Sequence, residues 1–121
     1  MTQQRNDRGS LLAWQWSDYP AKHRNAANLV IHLVAVPVFM LGCLGVVVGL
    51  LALAPAKIAW SVGVMIAAVV LEGVGHRLEP EQPAPFDGFA DFLKRFFVEQ
   101  WVTFPRFVVS GRYVRNLTGR G

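Results

Sequence analysis

The chain has 121 residues, of which 53% are hydrophobic, and a formal net charge of +4. That length leaves room for one compact unit and none for a second soluble domain. The single cysteine, Cys43, excludes an internal disulfide, and the basic residues accompany no nucleic-acid-binding motif, so we expect no nucleic-acid partner.

Residues 1–10 are polar and are expected to form a disordered tail. The next stretch, 11–19, carries Trp14, Trp16 and Tyr19. Such aromatics favour a membrane–water interface, so a short interfacial helix is expected, ended by Pro20. No cleavable signal peptide is visible: the apolar run that follows is too long for a signal h-region and should act as an uncleaved anchor.

Leu29 to Leu53 is a run of 25 residues without Asp, Glu, Lys or Arg. A bilayer needs about 20 apolar residues per spanning helix, and a soluble protein this small could not cover such a run from water. The first membrane helix is placed at 25–53, with Asn25 or Asn28 as its cap and Pro37 as the site of a kink. Cys43 lies inside it and reads as a small packing residue. Gly45 and Gly49 form a small-xxx-small pair, which permits close approach of another helix and makes an oligomer through these glycines conceivable. Ala54 to Lys57 is a short turn. The second helix is placed at 58–76 and reaches spanning length by including Glu72.

Arg5, Arg8, Lys22 and Arg24 precede the first run, Arg77 and six further basic residues follow the second, and only Lys57 lies between them. The positive-inside rule then puts both termini in the cytoplasm, as for a bacterial inner-membrane protein, with the basic tails against anionic lipid headgroups.

Glu79 to Asp87 is rich in proline and acid and reads as a loop. A third helix is placed at 89–110. Leu93, Phe97, Trp101, Phe104 and Val108 share one face, with Asp91, Arg95, Glu99, Thr103 and Arg106 broadly opposite. It is either interfacial or embedded against the hairpin with its polar side inward. Pro105 suggests a bend near its end. The expected fold is therefore all-α: 1–121 as a single integral membrane domain, a helical hairpin with a third helix and a short N-terminal one.

The chain has three histidines, His23, His32 and His76. Folding the hairpin about the turn between Ala54 and Pro55 brings His32 level with Arg77, hence beside His76, near the cytoplasmic interface. Asn28 shares a helix face with His32, as Glu72 does with His76. His23 lies nine residues before His32 and can join only if its segment is not a continuation of the same helix. Neutral imidazole is a common ligand for iron, zinc and copper, and two or three histidines with a carboxylate and open positions suit non-haem Fe(II) oxygenases. Asn28 could orient an imidazole through its second nitrogen. Glu99 could equally form an ordinary salt bridge with Arg95 or Arg106.

His23-Arg24-Asn25-Ala26-Ala27-Asn28-Leu29-Val30-Ile31-His32, followed by Pro37, resembles the opening motif of the yeast-type 2-hydroxy fatty acid dioxygenases. Gly75-His76 with Glu79 and Pro83-Ala84 is similar to their second motif, and Glu99 in an aromatic segment to a third, weaker one. The resemblance covers most of residues 19–100. It implies a small multi-pass membrane enzyme in which Fe(II), held by His23, His32 and His76, cleaves the C1–C2 bond of a 2-hydroxy fatty acid and shortens it by one carbon. Glu79 would be a ligand or outer-sphere group, Glu79 and Glu99 the catalytic carboxylates, and Asn28 and Glu72 supporting residues. Arg77 or Arg24 could attract the substrate carboxylate. The competing expectation is a non-enzymatic membrane scaffold or interaction subunit, assembled through Gly45 and Gly49.

Overall fold

The computed structural model describes residues 10–119, so positions 1–9 of the expected disordered tail lie outside it. The described residues form helices and no strand.

Helix α1 runs Leu11–Lys22, and Ser10 caps it by accepting the Ala13 N–H at 3.5 Å. It does not end at Pro20 but passes through it. A proline in a last turn forfeits only one i→i−4 bond. The helix stops at His23, whose backbone leaves the helical region at φ −136° and ψ 65°. Three residues later α2 begins, Ala26–Leu51, and of the two candidate caps it is Asn25 that accepts the Asn28 N–H, at 3.1 Å. Pro37 lies within α2 without ending it. Helix α3, Pro55–His76, starts on a proline, where the missing N–H would have had no partner anyway.

α2 and α3 pack antiparallel, and glycines set their separation. Gly49 meets Ile58 next to the turn, Gly42 meets Met65 further along, and Gly75 meets Asn28 at the far end. A Cβ on Gly42 would stand 2.6 Å from Met65 Cγ, and one on Gly49 2.7 Å from Ile58 Cγ1. Gly45 is likewise closed off by the Ser61 side chain. The small-residue stripe therefore serves contact within the chain, with α3 occupying the space that an oligomer partner at Gly45 and Gly49 would need. Such close approach lets the two helices make continuous van der Waals contact, which is what holds helices together in a bilayer. Both helices are long and apolar enough to cross a membrane. Leu41, Leu51, Trp60 and Val70 are among the apolar side chains left exposed on them.

The region expected as one helix over 89–110 is divided. Helix α4, Phe89–Val98, leads into a π-helical segment, Glu99–Thr103, then α5, Phe104–Val109. After Gly111, at φ 85°, a further helix α6 covers Arg112–Leu117, which the sequence pattern did not suggest. The polar side of this region is buried: Asp91, Arg95, Gln100 and Thr103 are all under 8% exposed, whereas Leu93, Phe97 and Trp101 are open. This inverts the pattern of a helix on a soluble protein. Phe104 departs from its expected face and is buried, with Phe107, against Tyr19 and Leu29. The extra residue of the π turn rotates everything after it, which is why straight helical spacing misplaces it.

Candidate metal centre

Four elements each deliver one side chain capable of ligating a metal to the same point. His23 ends α1, His32 lies two turns into α2, His76 is the last residue of α3, and Glu99 opens the π segment. One ligand atom from each lies within 4.8 Å of all the others. The imidazole centroids form a near-equilateral triangle, 4.9 Å for His23–His32, 4.7 Å for His23–His76 and 4.9 Å for His32–His76. The rings stand nearly perpendicular to one another, at 80–90°. His23 reaches this triangle because the break at residues 23–25 lets α1 and α2 run in unrelated directions.

Two of the rings are oriented from behind. His23 Nδ1 lies 2.9 Å from the Tyr19 carbonyl, and His32 Nδ1 lies 3.1 Å from the Asn28 carbonyl. These main-chain acceptors favour the Nδ1–H tautomer and leave Nε2 as a lone-pair donor facing inward. Asn28 thus serves His32 through its backbone and not, as the spacing had suggested, through its side chain. His23 Nε2, His32 Nε2 and His76 Nδ1 are buried and have no hydrogen-bond partner. Two of these nitrogens meet only carboxylate oxygens, at 3.2–3.5 Å, and His76 Nδ1 meets none, an arrangement that a cation between them would satisfy.

Glu99 completes the set. Its Oε2 lies 3.4 Å from His23 Nε2 and 3.5 Å from His32 Nε2, and it accepts the Tyr19 hydroxyl at 2.7 Å. Burial alone would raise its carboxyl, but the His23 and His32 imidazoles outweigh burial and hold it well below the usual carboxylate range. Burial and the Glu99 charge push the Tyr19 phenol well above its ordinary value, so it stays a donor. The salt bridge open to Glu99 on sequence grounds does not form: Arg95 faces Asp91 at 3.6 Å, and Arg106 stacks on Trp16.

The remaining carboxylates take different places. Glu72 Oε1 lies 3.2 Å from His32 Nε2 and accepts the Gln100 amide at 2.8 Å, while its Oε2 is buried without a partner. Glu79 lies outside the cluster. It accepts the N–H groups of Arg24 and Asn25 at 2.8 and 3.0 Å and the Asn28 side-chain amide at 2.6 Å. It therefore ties the end of α3 to the turn that carries His23 and does not point at the imidazoles. Arg24 is exposed and away from the site, whereas Arg77 stands on the wall of the adjoining cavity.

Several contributors escaped the sequence reading. Tyr19 reads as an interfacial aromatic, although its position four residues before His23 could have signalled the stack it makes, at 3.7 Å between centroids. Gln100 is a fully buried amide in an aromatic segment, itself a signal of a polar interior. Gln15 donates to the Arg95 carbonyl and pairs with Thr103, joining α1 to the third region. From α6, Asn116 donates to the Pro20 and His23 carbonyls, and Tyr113 to the Leu29 carbonyl.

An open cavity of about 350 Å3 borders the cluster, walled by α1, the end of α3, the following loop and α4, with His23, Glu72, His76 and Glu99 on its surface. Three imidazoles and a carboxylate beside an accessible cavity fit a first-row transition ion with positions left for small molecules. Residues 10–106 match the family model described as Mpo1-like, 2-hydroxy-palmitic acid dioxygenase Mpo1-like. No curated protein and no solved structure matches the chain.

Proposed function

The chain belongs to the Mpo1-like family, and from that premise we propose that it is a membrane-embedded, Fe(II)-dependent dioxygenase that shortens 2-hydroxy fatty acids by one carbon. The observation that carries this reading is the convergence of three imidazoles and the Glu99 carboxylate, with one ligand atom of each within 4.8 Å of all the others. His23, His32 and His76 would hold the iron, with Glu99 as a fourth ligand or as the charge that balances it. Bound there, Fe(II) supplies a site for dioxygen and the electrons that begin its reduction. The reaction balances as 2-hydroxy acid plus dioxygen giving the acid one carbon shorter, carbon dioxide and water. The C1–C2 bond breaks and C2 is oxidised from alcohol to carboxyl.

The chain's own groups divide the remaining work. The outer carbonyls of Tyr19 and Asn28 fix the imidazoles. Tyr19 fixes Glu99, and Gln100 fixes one oxygen of Glu72. Glu72 borders the cavity, and its free oxygen would exchange a proton with a substrate hydroxyl arriving there. No observation favours the scaffold reading, because Gly45 and Gly49 already face α3.

Protein purified without chelator, or loaded anaerobically with Fe(II), should retain near-stoichiometric iron by elemental analysis. It should then convert 2-hydroxypalmitate to pentadecanoate with uptake of dioxygen. A preparation that takes up no transition metal would remove the basis for the enzyme reading. The same reading places α2 and α3 across the bilayer with the site at the cytoplasmic face. A reporter fused after Gly121 should be active only on that side, and activity on the opposite side would reverse the orientation.

A further inference from the structure

The cavity has a polar end and an apolar end, and α3 supplies a graded wall between them. Arg77, His76, Gly73 and Val69 all line it. Eight residues of helix separate Arg77 from Val69, about 12 Å along the axis. Glu72 also lines the cavity, and Val69, Phe92 and Phe96, which pack in one apolar cluster, form its apolar part.

The cations at the polar end are not equivalent. Lys22 is held by Asp18 at 3.0 Å. Arg95 is fixed by the Ala84 and Pro85 carbonyls and lies over the Phe86 ring. Arg77 is exposed and has no ion-pair partner among the described residues. Between the two ends the wall is open at Gly73, which is exposed: a Cβ built on it meets nothing within 4 Å, in contrast to the closed-off glycines of the α2–α3 contact.

Resting on the proposed function, we propose that the acyl chain of the substrate leaves the metal centre over Gly73 and runs on along the apolar wall of Val69, Phe92 and Phe96, with its carboxyl end towards Arg77. Gly73 is then the residue that sets whether a long chain can be accommodated. A cavity of about 350 Å3 is at the small end for ligand sites, so it holds the head and the first part of a long chain. The rest must emerge past Gly73, where the neighbouring Val70 and Val74 are exposed and apolar. The chain therefore continues into lipid without crossing water, which is the cheap route for an alkyl group.

Gly73→Trp tests this, with Gly63→Trp as control, because Gly63 lies on the same helix, also meets open space and does not line the cavity. Both full-length variants are prepared as Fe(II)-loaded protein in phosphatidylcholine nanodiscs. Iron content, binding of radiolabelled 2-hydroxypalmitate and turnover of 2-hydroxybutyrate are measured for each. Gly73→Trp should bind 2-hydroxypalmitate at least about tenfold more weakly, with iron content at the level of the unmodified chain and 2-hydroxybutyrate turnover reduced far less than 2-hydroxypalmitate binding. Gly63→Trp should match the unmodified chain in all three. Unchanged 2-hydroxypalmitate binding in Gly73→Trp overturns the path, as does equal loss of both acids with iron retained. Gly73→Leu, a smaller obstruction, should fall between; if Gly73→Trp does not fold and Gly73→Leu binds normally, the path is also overturned. Failure of the unmodified chain to hold iron or bind 2-hydroxypalmitate is a different result and overturns the proposed function itself.

Discussion

Replacing His32 with alanine is expected to strip the protein of iron. Its Nε2 is the innermost of the three imidazole donors, on a fully buried ring that faces both Glu72 and Glu99. Removing it should weaken Fe(II) binding by more than the ~10–100-fold that loss of an outer-sphere partner costs. Fe(II) binding to the native state alone should raise the melting temperature of the wild-type protein, and His32→Ala should lose that rise. The metal-free variant should suffer only the cavity cost of a truncated ring, partly offset because one unsatisfied buried nitrogen is gone. Elemental analysis and thermal unfolding with and without Fe(II) read the two effects separately. A variant that still binds iron at wild-type strength would mean that the three rings converge for some purpose other than holding a metal.

Glu79→Ala is expected to damage the site without removing a ligand. The carboxylate is buried and accepts from two main-chain N–H groups and one amide, all in the segment between His23 and Asn28. Hydrogen bonds to a charged group contribute about 1.5–3 kcal/mol each and are not additive, so a loss of about 3 kcal/mol is reasonable for the alanine variant. At this chain length that corresponds to a fall of about 10 °C in melting temperature. With the turn released, His23 should drift from the other rings and iron affinity should drop as well. Glu79→Gln keeps an acceptor for the Arg24 and Asn25 N–H groups, and a flip of the Asn28 amide restores the third bond. It should therefore recover most of both properties. If Glu79→Gln instead lost iron as completely as His32→Ala, at an unchanged melting temperature, Glu79 would be a ligand and the clamp described above would be wrong.

These two variants separate kinds of residue that sequence alone presents in the same way. Glu72, Glu79 and Glu99 are three acids near histidines, and nothing in their spacing ranks them. Their roles follow from which donors approach each carboxylate. Backbone N–H groups surround Glu79, a glutamine amide holds Glu72, and imidazoles with a phenol surround Glu99. Those donors come from different elements, so only packing assigns them. Gly45 and Gly49 pose the same problem: small-xxx-small spacing says that something comes close, not whether it is α3 or another molecule.

What the sequence determined by itself is local or depends on simple geometry. Two long uncharged runs specify two apolar helices, because a backbone in apolar surroundings must satisfy its own hydrogen bonds. A short turn between them, which the structure places at residues 52–54 and not at 54–57, makes residues equidistant from it neighbours, and His32 and His76 do lie side by side. What only the tertiary structure decided is which way the other pieces face. His23 reaches the site because the chain breaks helical geometry between Lys22 and Ala26. Glu99 reaches it because α4 and the π segment turn their polar side inward, and one extra residue in that turn reorients everything beyond it. Amphipathic spacing is the same whether the apolar face meets a core or a lipid, so the pattern in the chain carries the faces but not their direction.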